Sequence, residues 1–149
     1  MLRKIEHLSA SEQDLILSAP LLVTALVSGA DGDFSTNEIK KAVKVIHIKT
    51  YSEKADVRGV YKEIDMLSED KIMSLIEALP EETFTRTEFL TDKLKELNNI
   101  FPKLDPHFAK DLLKSLRELA FYVSNANESG ISFSNEMEER VAELKFLKL

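Results

Sequence analysis

The chain predicts an all-α fold: one domain, residues 1–149, of about seven helices arranged as two pseudo-repeated helix-turn-helix halves. Three observations lead there. Apolar residues recur at helical spacing along most of the chain, with no convincing alternating strand pattern. Four Gly and four Pro are too few for an all-β chain full of tight turns. The almost wholly apolar run Leu21 to Ala30 passes through an acidic turn into an amphipathic segment that opens near Ser35. A weaker echo of that order returns at Ala126-Asn127-Glu128-Ser129-Gly130-Ile131-Ser132.

The elements follow from their punctuation. Ser11 can cap a first helix starting at Glu12, with Asp14 complementing its positive end. Pro20 either kinks this helix or opens a second one, in whose first turn a missing N–H costs little. Ser35 and Glu38 form a capping box for the next helix, with Ile39, Val43 and Ile46 on one face. Ser52 can start a helix carrying Val57, Val60, Tyr61, Ile64 and Leu67, which Gly59 weakens or opens to a close neighbour. Ser68 can cap Glu69 to Leu79, with Ile72, Leu75, Ile76 and Leu79 inward and Pro80 as the stop. Phe84 to Asn99 carries Phe89, Leu90, Leu94 and Leu97, ended by Asn98-Asn99 and Pro102. Asp105-Pro106 is a clean start, cap then first-turn proline, for the strongest helical pattern: Phe108, Leu112, Leu113, Leu116, Leu119, Ala120 and Val123. A last helix, from Ser132 or Ser134 to Lys148, turns Phe133, Met137, Val141 and Leu144 inward and sets Lys145 and Lys148 at its negative end. Asn98 to Asp105 is the best candidate boundary, but either side alone would be small for a domain, so one domain is expected.

Composition narrows the function classes. With 44% hydrophobic and 31% charged residues the chain reads as an ordinary soluble domain. A net charge of -6 argues against non-specific nucleic-acid binding, which needs a basic face to release counterions. The absence of Cys excludes disulfides, thiolate zinc sites and catalytic thiols, and fits a reducing, cytoplasmic setting. The basic start Met1-Leu2-Arg3-Lys4 leads into no long apolar region and does not read as a secretory signal. The most apolar run, Leu15 to Ala30, is shorter than the roughly 20 residues of a membrane span and is expected as a buried central helix, with no direct membrane insertion.

Asp31-Gly32-Asp33-Phe34-Ser35-Thr36-Asn37-Glu38 is the feature richest in chemistry. It matches the second half of a calcium-binding EF-hand loop, but the first two ligand positions would fall on Val27 and Gly29, which carry no side-chain oxygen. Structure alone accounts for much of it: Gly32 ends one helix in a left-handed turn, Ser35 and Glu38 cap the next, and Phe34 packs as a hydrophobic staple. The functional reading makes Asp31, Asp33 and Glu38 oxygen donors to a weakly held divalent cation, calcium, magnesium or manganese.

At these residues the chain resembles the TerB-like family of tellurite-resistance and stress-associated proteins. The resemblance rests on Ala30-Asp31-Gly32, Phe34, Ser35 and Glu38, set between an apolar and an amphipathic helix. It implies an all-helical fold with a pseudo-twofold repeat, divalent metal at Asp31 and Glu38 and less directly at Asp33, and membrane-associated stress complexes as partners. The second unit departs from the pattern. Ala126 and Gly130 align with Ala30 and Gly32 only across two inserted residues, Asn127 replaces the acid, and Asn135 falls where Glu38 would be. No symmetric second acidic site is expected.

No catalytic constellation stands out. His7, His47 and His107 are scattered and lack the paired spacing of a zinc site. There is no glycine-rich phosphate loop and no Gly-x-Ser-x-Gly nucleophile turn. Glu136, Glu138, Glu139 and Glu143 read as a solvated helix face, and Tyr51, Tyr61 and Tyr122 as isolated aromatics. The expected function is therefore non-enzymatic: a TerB-like module with a weak cation site, or a protein-interaction scaffold whose acids are only caps and solvating groups.

Overall fold

The computed structural model describes residues 3–28, 36–67, 69–125 and 144–149, with the backbone alone at 36–39, 41, 42, 52, 69 and 125. Six helices of nine residues or more are present among them: α1 (Ala10–Ser28), α2 (Thr36–Ser52), α3 (Ala55–Asp65), α4 (Glu69–Glu77), α5 (Thr83–Lys95) and α7 (Pro106–Asn125). A single-turn α6 (Leu97–Ile100) and 3-10 turns at Arg3–Ile5 and Phe101–Lys103 join them, and the described residues hold no strand. The all-α class is thus what the structure has.

α1 sits in the middle. It packs against α3, α5 and α7, and its residues from Val23 through Ser28 are all buried. By length and composition α1 could cross a membrane, but here the bundle buries it. Pro20 lies inside α1, which continues through it as one helix, so of the two expected outcomes no second helix opens there. A mid-helix proline costs about 3 kcal/mol, and packing on several sides of an apolar rod offsets that. The outer helices turn one stripe inward, and a single apolar cluster extends from Ile5 to Leu147, across the 98–105 segment.

The start of α1 corrects the expected cap. Ser9, not Ser11, makes the reciprocal box: its Oγ accepts from the Glu12 N–H at 3.2 Å, and Glu12 Oε1 accepts from the Ser9 N–H at 3.0 Å. Lys103 Nζ donates to the other Glu12 oxygen at 2.7 Å, tying the start of α1 to the 101–103 turn. The Lys103 ammonium, then the Ser9 N–H, hold the Glu12 carboxyl down from 4.5 to about 2. A depressed carboxylate contributes stability above its unfolded pKa and loses it as pH falls through the folded one. The melting temperature should therefore fall between pH 4.5 and 2, and Glu12→Gln should flatten that limb. Parallel pH profiles for the two proteins would contradict this.

Two buried hydroxyls on α1, Thr24 Oγ1 and Ser28 Oγ, have no hydrogen-bond partner among the described residues. A buried unpaired hydroxyl costs about 1–3 kcal/mol. Thr24→Val is therefore expected to raise stability by about 1 kcal/mol, read as a melting temperature roughly 3 °C higher. A drop would mean that Thr24 has a role the core packing does not reveal.

Other element boundaries shift for local reasons. α3 starts at Ala55, after a Lys54 cap without a side-chain bond, rather than at Ser52, which still belongs to α2. α5 is capped by Glu82, which accepts from Phe84 N and Thr85 N, and it ends at Lys95 before α6. α7 begins as expected, with Asp105 Oδ2 accepting from Phe108 N at 3.1 Å. Leu75, expected inward, is 40% exposed and Phe89 is 48% exposed, whereas Ile72, Ile76 and Leu90 fill the core.

The chain does not continue as a helix to Lys148. Leu144–Phe146 form a turn and 147–149 have no regular structure. Leu144 takes a φ of 50°, a left-handed value that costs a branched residue about 1 kcal/mol or more. Leu144 and Leu147 are fully buried, which offsets that cost. Asn98 clamps the segment from two sides: its Nδ2 donates to Phe146 O and its Oδ1 accepts from Lys148 N, both at 2.8 Å. Arg117 Nη2 adds a bond to Leu147 O at 2.9 Å. The whole echo at 126–132 and most of the expected last helix lie outside the described residues.

Candidate functional site

The stripe Val43, Ile46, Thr50 brings α2 onto the bundle, and Lys49 falls on the same stripe in the last turn of the helix. A cation there complements the negative helix end. Lys49 is only 4% exposed, so its charge needs partners. Glu53 pairs with it from one turn on, and Glu118 of α7 lies at 3.5 Å. The ring of Tyr61 from α3 lies 6.0 Å from the ammonium and that of Tyr122 from α7 at 5.7 Å, both within cation–π reach. Tyr61 itself is fully buried, and its hydroxyl accepts from Ser115 Oγ at 2.8 Å. Burial pushes the Tyr61 phenol far above its ordinary range, so it stays neutral at any physiological pH. These groups join α2, α3 and α7 through one polar knot, and a phenol that cannot ionise is no general base.

The knot opens outward along α7. Lys110, Lys114, Arg117 and Phe121 follow at spacings of four, three and four, one stripe of the helix. With Glu118, Tyr122 and Leu149 they line a groove of about 550 Å³. Phe121, Tyr122 and Leu149 are 61%, 52% and 66% exposed. The two aromatic rings meet edge to face, their centroids 6.0 Å apart. The interleaving of aromatic and basic groups, invisible along the chain, exists on this surface.

Of the residues the sequence singles out for a cation, Asp31 and Asp33 lie outside the described residues. Glu38 is placed by its backbone alone, in the first turn of α2. At about 1.5 Å of rise per residue, positions 38 and 49 stand some 17 Å apart along that helix. The two features therefore occupy opposite ends of α2. Among the described residues no group of three or more His, Asp and Glu is set to hold a metal ion. Two histidines are taken up by contacts across the fold: His7 Nε2 lies 2.7 Å from Lys103 O, and His47 Nδ1 lies 2.7 Å from Asp65 Oδ1.

No known family model, curated protein or solved structure matches the chain. Sequence reasoning passed over Lys49 and the α7 face. One signal was present: a lysine that continues the apolar stripe of α2 where another Ile or Val would be expected.

Proposed function

We propose that this chain is a non-enzymatic helical interaction module. The supporting observation is the α7 groove, where two adjacent aromatic side chains and Leu149 stay largely exposed beside three cations. Aromatic and Arg side chains are enriched where proteins meet, and exposed apolar surface rimmed by polar groups marks such sites. The test is cross-linking followed by co-purification with the full chain and with a Lys110→Glu/Lys114→Glu double variant, both lysines being exposed. The variant is expected to keep its melting temperature and lose its cross-linked partners. An unchanged partner set would count against the reading.

A narrower reading makes the chain a cytoplasmic, TerB-like stress-associated module with two related halves. Its acidic turn would hold a divalent cation weakly through Asp31, Asp33 and Glu38, and its partner would be a membrane-associated stress complex. The helix order favours it: α1 ends at Ser28 and α2 opens at Thr36, the two flanks that the Ala-Asp-Gly resemblance requires. A cation that binds the folded state alone must raise the melting temperature. Millimolar calcium, magnesium or manganese is expected to do so, and Asp31→Asn with Glu38→Gln to abolish the rise. No shift with any of the three ions would remove the cation from this reading and leave the module without it.

A further inference from the structure

We propose that the groove along α7 docks an acidic amphipathic peptide segment of a partner protein. Its apolar side chains would rest on Phe121, Tyr122 and Leu149, and its carboxylates on Lys110, Lys114 and Arg117. This rests on the interaction-module reading and names the chemistry of the partner.

Charge complementarity selects the occupant. The chain as a whole carries -6, yet this groove gathers three cations against one acid. That acid, Glu118, is already turned to Lys49. Arg117 gives one N–H to Leu147 O, and a guanidinium has five donors. The surface is therefore a positive island on an acidic protein. Acidic segments are steered to it and basic ones repelled.

The apolar floor selects a peptide over a polyanion. Tyr122 is half exposed, and Lys49 backs its ring at 5.7 Å. Phe121 stands edge-on beside it. Aromatic side chains, with only two χ angles each, lose little rotamer entropy on binding and make suitable anchors. From Lys110 to Tyr122 the face runs about 18 Å, enough for three turns of a bound helix. Apolar anchors at i, i+3, i+4 and i+7 on such a helix match a groove of this kind. Nucleic acid would find three cations and an acidic surround, too little counterion release for firm binding.

The experiment is an amide chemical-shift titration of the isotope-labelled full chain with a synthetic helical peptide of about 14 residues. Leucines stand at the four anchor positions and glutamates flank them, within reach of the groove's cations. A second peptide replaces each Glu by Lys. The Glu peptide is expected to shift amides of 110–122 and 147–149, and Lys110→Glu/Lys114→Glu to weaken it at least about tenfold, some 1.4 kcal/mol. The variant's own spectrum reports whether it is folded. Equal binding of the Lys peptide, shifts that miss α7, or unchanged binding by the variant would each overturn the proposal. Tighter binding at the same amides by anionic phosphatidylserine vesicles or an oligothymidine would also overturn it. If cross-linked partners vanish in the double variant while the Glu peptide is silent, the peptide class falls and the module stands. If cross-linking is unaffected as well, both fall.

Discussion

Lys49→Met is expected to lower stability by about 2 kcal/mol and the melting temperature by roughly 6 °C. Met keeps most of the buried stem, so the loss reports the charge. Breaking a buried ion pair from one side commonly costs about 3–5 kcal/mol, because the remaining charge stays stranded. Here Glu118 is 44% exposed and can turn to water, whereas Glu53 at 16% cannot do so fully. The loss therefore falls below the usual range. The two rings lose their cation–π partner as well. Lys49→Met with Glu53→Gln and Glu118→Gln should recover part of the loss, since no carboxylate is then left without a counter-charge. Thermal melts of the single and triple variants decide it. A triple variant less stable than the single would show that the acids act apart from Lys49.

Leu116→Ala should cost more, about 3 kcal/mol, with the melting temperature down by roughly 10 °C. Leu116 has no exposed surface and lies mid-way along the inner face of α7, the helix that packs on α1, α2 and α3. A cavity at a junction of several helices cannot close by moving one of them. Leu75→Ala is the control: at 40% exposure on α4 it should cost less than about 1 kcal/mol. Similar losses at both positions would mean the core is packed differently.

The contrast between these leucines marks what could be read from the chain. Features fixed by neighbours within a turn or two were legible: the Asp105 cap, Pro106 in the first turn, the inner stripe of α7, and the buried rod of α1. Pro20 left two outcomes open along the chain, because its penalty is local while the packing that keeps α1 a single helix is not. Ser9 and Ser11 are both plausible caps, and geometry chose the one three residues before Glu12. Leu75 and Phe89 each lie within a helical turn of stripe positions, so periodicity alone could not turn them outward. The polar knot joins position 49 to position 118, and no local pattern announces a pairing across that separation. Of the acidic turn, the two flanking helices are where the sequence put them, and Glu38 opens the second.

The Asn98 clamp has a consequence for sequence drift. It grips carbonyl and amide atoms that every residue type except proline offers at both points. Positions 146 and 148 can therefore change identity with the fastening intact, provided proline stays away from 148. The burden of recognition falls on one asparagine and on the two leucines at 144 and 147. Homologues should hold the asparagine and the two leucines more strictly than position 148, which offers only its backbone N–H to the clamp.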